Sequence, residues 1–141
     1  MSHLYLIAQI AGRAVAIDSN QVESVVDIGE VTAVPLASEH VRGLAALRSR
    51  VVTVVDTQSA LGMVGESVAR RAVITRVEGY HYAMLVDALD DVAPFDLLPM
   101  AGGVALDPAW RAAGRGVVER EGEPILAIDL TSLVPGLSAI N

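Results

Sequence analysis

Val51-Val52-Thr53-Val54-Val55-Asp56 is the run on which the reading of this chain turns. Its first five residues are all β-branched, stiff at χ1 and suited to a pleated surface, so the run predicts a strand that ends at the aspartate. A shift of 73 residues, without gaps, lays Gly43 on Gly116, Val52 on Ile125, Val55 on Ile128 and Asp56 on Asp129. A second likeness lies close by: Gly12-Arg13-Ala14-Val15-Ala16-Ile17-Asp18 resembles Tyr80-His81-Tyr82-Ala83-Met84-Leu85-Val86-Asp87, with Ile17-Asp18 set on Val86-Asp87 at a shift of 69. Each half therefore holds an apolar strand ending in aspartate, a proline-containing connection, a glycine, and another apolar strand ending in aspartate. Two similar β-units in tandem are the simplest account.

Outward from these runs, Leu4 to Ile10 and Arg13 to Ile17 read as two strands around Ala11-Gly12, where glycine supplies positive φ. Gln21 to Val26 alternates imperfectly and leads to Val31-Thr32-Ala33-Val34-Pro35, whose proline ends pairing because it has no N–H. Ser38 to Val41 is expected to make one helical turn capped by Ser38 and broken at Gly43, and Gln58 to Met63 a second, closed by Gly62. Arg70 to Val77 and Tyr80 to Val86 form a hairpin around Glu78-Gly79, and Ile125 to Leu130 is the last clear strand. Pro94 to Gly116 is the least regular stretch, with a short helix expected around Pro108 to Ala112. Each unit spans roughly 60 to 70 residues, near the lower limit for a self-sufficient core, so the two are expected to share burial and to curl into small barrels.

Composition narrows the functions. With 52% hydrophobic and 19% charged residues the chain must bury a core, which excludes disorder. At 141 residues it reads as one domain of two interlocked halves, too short for a multi-domain enzyme. All ten cations are arginine, so lysine chemistry is excluded, and a net charge of −7 argues against a general nucleic-acid footprint. Without cysteine there is no thiolate nucleophile, disulfide or Cys-ligated metal. The apolar start is interrupted by Gln9, Gly12 and Arg13 before it reaches a membrane-spanning length, so the chain is expected to be soluble and unprocessed.

No convergent set of reactive groups emerges. His3, His40 and His81 lack ligand spacing and read as surface or strand-edge residues. Asp87, Asp90 and Asp91, with Asp96 beyond them, lack the glycine and closing Glu of a calcium loop and read as a solvated turn. Gly12, Gly62, Gly65, Gly102 and Gly103 build no phosphate loop, and no serine sits in a nucleophile elbow. Catalytic, cofactor and metal residues are thus expected to be absent. Arg42, Arg48 and Arg50 stand out instead, three interface-suited cations clustered in an acidic chain. Arg70-Arg71 reads as a gatekeeping pair at a strand entrance.

Val41-Arg42-Gly43-Leu44-Ala45-Ala46-Leu47-Arg48-Ser49-Arg50-Val51-Val52-Thr53-Val54-Val55-Asp56 resembles the signature of the CheW family, approximately V-x-G-[VL]-x-N-L-R-G-x-[VI]-[VI]-P-[VI]-[VI]-D-L. Leu85 to Val92 and Gly116 to Leu133 resemble two further blocks of that family, and the likeness spans Leu4 to Leu137. Ala46, Ser49 and Thr53 depart from the pattern, standing where the family has asparagine, glycine and proline. The resemblance implies an all-β fold of two intertwined, SH3-like, five-stranded barrels with short helical turns. It makes residues 1–141 one domain, with subdomains at about 12–65 and 79–137 and the N-terminal strand exchanged. It implies a non-enzymatic adaptor in chemotaxis signal transduction that binds the regulatory domain of a CheA-type histidine kinase and, in the groove between barrels, the cytoplasmic tip of a methyl-accepting chemoreceptor. Homologous CheW-like domains are expected as neighbours in arrays; nucleic acid and direct membrane insertion are not. The expected location is the cytoplasm, at membrane-associated receptor arrays. On the receptor side the resemblance points to Arg48, Val22 and Val86, with Ala46 and Ser49 in the same loop; the kinase side is unassigned. A coupling protein of a non-flagellar chemosensory pathway and a small-ligand-binding β-barrel are the alternatives.

Overall fold

The apolar runs become strands wherever a second strand can take up their backbone groups. In the computed structural model, which describes residues 2–35, 40–63, 70–100 and 108–134, eleven strands appear in chain order. They are β1 His3–Ile10, β2 Arg13–Asp18, β3 Ser24–Asp27, β4 Val31–Thr32, β5 Val41–Leu47, β6 Arg50–Val55, β7 Arg71–Val77, β8 Tyr80–Val86, β9 Ala88–Phe95, β10 Gly114–Arg120 and β11 Glu123–Ile128. Two short helices, α1 Thr57–Ala60 and α2 Pro108–Ala113, and two 3-10 turns, Ser19–Gln21 and Leu130–Leu133, complete the described elements. The fold is all-β, and among the described residues no helix is long and apolar enough to cross a membrane.

The strands form two sheets, ordered β10-β11-β2-β1-β9 and β3-β7-β8-β6-β5-β4. The two ends of the chain thus build one sheet and its middle the other. Both N-terminal strands, rather than one, cross into the C-terminal sheet, through antiparallel β1–β9 and parallel β11–β2 pairing. The boundaries at 12–65 and 79–137 follow the sequence repeat and cut across both sheets.

The repeat itself is carried by the pairing. Parallel β6–β8 sets Val55 beside Met84, and parallel β11–β2 sets Ile128 beside Ile17. Since Val55 and Ile128 are equivalent, Ile17 corresponds to Met84, not to Val86. The hairpin tips agree: Ala11-Gly12 and Glu78-Gly79 both have positive φ at both positions, a shift of 67 rather than 69. The displacement by two residues preserves which face each side chain occupies, because strand alternation has period two. It removes the equivalence of the aspartates. Asp18 accepts a hydrogen bond from Asn20 N across a 3-10 turn at 2.9 Å, whereas Asp87 accepts from Gly12 N and Gln58 Nε2. Asp56 and Asp129 remain a true pair, each capping the short helix after its strand.

Gly43 and Gly116 mark a second equivalence. Each lies at a register shift, Gly43 in β5 and Gly116 in β10, with φ of +150° and +156°. A Cβ at Gly43 would overlap Thr32 O, and one at Gly116 would overlap Leu98 O. Thr32 pairs with Leu44, and Leu98 bridges to Val117, so in both halves a crossing segment presses its backbone onto the glycine. The middle sheet counts six strands because Val31–Thr32 is long enough to be a strand where Leu98 makes a single bridge.

Three cores result. Val52, Val54, Ala72, Ile74, Ala83 and Leu85 fill the middle barrel, and Tyr5, Ile7, Ala16, Val118, Ile125 and Ala127 the other. The opposite faces of both sheets meet in the largest cluster, where Val55, Val73, Met84 and Val86 pack with Leu6, Val15, Ile17, Leu126 and Ile128, under Trp110 of α2. Arg13 lies over the Trp110 ring, 4.8 Å from its centroid, and covers the outer edge of this packing.

Several expectations are corrected. Val41 opens β5 rather than closing a helical turn; Ser38 and Glu39, like Gly65, Gly102 and Gly103, lie outside the described residues. The irregular stretch contains the end of β9 and the start of β10, and its helix runs to Ala113. Asp90 and Asp91 sit within strand β9, not in a turn.

Candidate functional site

The β5–β6 hairpin carries the arginine cluster, and strand alternation sorts it. On the inner side Ala45 and Val52 enter the barrel core, so Leu44, Ala46, Val51 and Thr53 face outward. Leu44 opposes Thr53, and Ala46 opposes Val51; Thr53 then lies beside Tyr82 in β8, and Tyr82 beside Thr75 in β7. Toward the second barrel this face runs into the shared core, where Tyr82 packs. Toward the hairpin tip it emerges, with Leu44 at 38%, Val51 at 64% and Tyr80 at 69% exposure. Large apolar side chains so exposed and so contiguous mark an interaction surface.

Arg48 stands at the rim of this face, exposed, in the two-residue tip of the hairpin. No hydrogen bond or ion pair reaches it from the described residues. Its φ is +58°, and the first residues of the other three two-residue tips, Ala11, Glu78 and Glu121, have φ of 51° to 53°. In those tips the second residue is a glycine, also at positive φ, as a type I′ turn demands. Ser49 keeps a negative φ, so this hairpin alone turns with one residue in the left-handed region. Ser49 is exposed, as is Ala46.

Arg42 is absorbed into the structure. Its Nη2 donates to Asp56 Oδ2 at 2.9 Å, while Asp56 Oδ1 accepts from Ser59 N at 3.2 Å, so a nearly buried carboxylate is neutralised and caps α1. Arg50 turns the other way. Its Nη1 makes a hydrogen bond with His81 Nε2, and the same Nε2 lies 2.9 Å from Glu23 Oε2.

Glu23 leads to Val22, the second residue named by resemblance. Val22 is half-buried against the shared core and lines a groove of about 300 Å³ together with Gln21, Glu23, Thr75, Arg76 and Thr131. The groove lies between the barrels. Gln21 ties the 3-10 turn after β2 to the one after β11 in the same sheet, its Nε2 donating to Asp129 Oδ1 at 2.6 Å and its Oε1 accepting from Leu130 N at 3.0 Å. Thr75, itself buried, lines the groove and pairs with Tyr82 of the outward face, so it stands between Val22 and the exposed residues near Arg48.

Val86 does not join them. At 1% exposure it lies in the shared core and presents nothing to a partner. Val86 faces the second barrel, whose covering of that side has no local signature. Conversely, Leu44, Val51, Tyr80, Glu23 and His81 were not singled out for binding. Alternation against the buried runs could have placed the first three outward; nothing local links positions 23, 50 and 81.

A family model described as "CheW-like domain" matches residues 4–137. The chain is similar to the chemotaxis protein CheW of Thermotoga maritima, with 23% identity over 129 residues, covering 89% of this chain and 83% of that protein. Its fold is similar to that of the scaffolding protein TtCheW from Thermoanaerobacter tengcongensis, with a TM-score of 0.81, 24% identity and 96% of both chains covered.

Proposed function

The chain belongs to the CheW-like family, and from that premise we propose that it is a non-enzymatic adaptor coupling chemoreceptors to the regulatory domain of a CheA-type histidine kinase. The observation that carries this reading is the outward face on which Leu44, Val51 and Tyr80 stand exposed, rimmed by Arg48, with the groove at Val22 on the far side of the buried Thr75. An apolar centre with an arginine at its edge suits a helical partner that brings apolar side chains flanked by carboxylates. The receptor tip is that partner, and Arg48 and Val22 are its contacts. The kinase domain then engages a surface that leaves this face open, since coupling requires both at once. Among the described residues the two barrel interiors are filled by side chains, which disfavours the alternative of a small-ligand carrier. Ala46 and Ser49 adjust partner choice at the rim rather than the fold.

Capture on immobilised receptor tip tests the bridging role. With the chain present the kinase regulatory domain is retained, and without it retention falls to background. Equal retention in both cases would refute the adaptor reading.

A further inference from the structure

Resting on the reading of that face as the partner-binding surface, we infer that His81 is a positioning residue which holds Arg50 back from the rim and releases it on protonation. The geometry forces a choice. A guanidinium has only donors, so its bond to Nε2 requires a bare nitrogen; a carboxylate has only acceptors, so Glu23 Oε2 at 2.9 Å requires Nε2–H. One nitrogen cannot serve both. In the neutral ring with the proton on Nδ1, His81 accepts from Arg50. In the neutral Nε2–H tautomer or the imidazolium, it donates to Glu23.

The charged groups facing the ring come from every strand around it. Arg50 approaches from β6, Arg76 lies directly across β7–β8 from His81, and Glu23 reaches over from the segment before β3. Arg48 stands at the tip two residues before Arg50, while Tyr80 and Tyr82, its neighbours on β8, take the opposite face. Glu23 is the single anion in this set. Protonation therefore tightens the Glu23 contact and sets a third cation against Arg50 and Arg76. Arg50 loses its acceptor and swings toward solvent, where it joins Arg48 as a second cation at the rim. A partner presenting carboxylates there binds more tightly as pH falls.

Imidazole nitrogen shifts of the free protein read the first half of this inference. Arg50→Gln moves the neutral ring toward the Nε2–H tautomer and Glu23→Gln moves it toward Nδ1–H; tautomer populations indifferent to both substitutions would overturn it. Titration with a receptor-tip peptide reads the second half. Affinity rises about two- to fivefold when the pH is lowered far enough to protonate the ring, the scale of one exposed ion pair. His81→Gln removes that pH dependence relative to the parent, because an amide can accept from Arg50 and donate to Glu23 at once. A pH profile kept in His81→Gln, or a flat one in the parent, would overturn the link to binding. Failure of the surface reading itself shows separately, as normal peptide binding by Arg48→Glu at every pH.

Discussion

The β5–β6 and β10–β11 hairpins occupy equivalent places in the two halves yet differ in almost every exposed side chain. Both are antiparallel, both shift register at a glycine, and both turn in two residues, Arg48-Ser49 in one and Glu121-Gly122 in the other. Inside, the aliphatic residues correspond: Val52 and Ile125, Val54 and Ala127. Outside, Ala46, Arg48, Arg50 and Val51 of the first hairpin face Glu119, Glu121, Glu123 and Pro124 of the second. Tyr80, exposed beside the first, is replaced by Arg13, which lies over Trp110. Duplication thus preserved what packs and let the surfaces diverge, so that one copy carries an apolar, arginine-rimmed face and the other an acidic edge. Function is to be sought where the copies disagree.

The largest predicted effects lie where the copies agree. Gly43→Ala and Gly116→Ala each force a Cβ into a backbone carbonyl at strongly positive φ. Each is expected to cost about 3 kcal/mol or more by chemical denaturation, to similar extents. Tolerance of one substitution but not the other would break the equivalence of the two crossings. Next comes Val86→Ala, which removes two buried methyl groups from the shared core and should lower stability by about 2 kcal/mol. Its receptor-tip affinity per folded molecule should stay unchanged; a selective loss of binding would return Val86 to the contact set.

Charge reversal sharpens the contrast itself. Arg48→Glu should weaken receptor-tip binding about tenfold or more, some 1.4 kcal/mol, while Glu121→Arg at the matching tip changes it less than about twofold. Both variants should melt like the parent, since Glu already occupies positive φ at Glu78 and Glu121 and Arg does so at Arg48. Equal losses from the two reversals would mean that net charge, not the first hairpin, governs binding. The smallest effect belongs to Ser49→Gly, which lets this tip adopt the turn of the other three. Stability should change by less than about 1 kcal/mol. Backbone couplings at position 49 should report φ changing sign, and an unchanged coupling would show that the odd turn is set by its surroundings rather than by serine.

These contrasts also show what was legible beforehand. The strands around Val51–Val55, Arg71–Val86 and Leu4–Ile17 announce themselves because their apolar runs are punctuated, the first by Asp56 and the other two by glycine tips. β5, β9 and β10 stay hidden because Gly43, Pro94, Gly114 and Gly116 read as breakers, whereas two of those glycines are the points where a crossing segment comes close. The 73-residue repeat is legible in Gly43 and Asp56, whereas the alignment at 69 is off by two residues because it leans on aspartates with different tasks. Arg48 and Val22 came from resemblance, and their arrangement on either side of Thr75 depends on parallel β6–β8 pairing that no local pattern encodes. Val86 looked like its neighbours on β8, and only the second barrel, built from the far ends of the chain, decides that it is core.

The most direct test of the account is a titration of receptor tip into the chain already saturated with the kinase regulatory domain. The account predicts receptor-tip affinity within about threefold of that of the free chain, because the two partners occupy separate surfaces. Competition between the partners, or binding of only one of them by the folded chain, would contradict it.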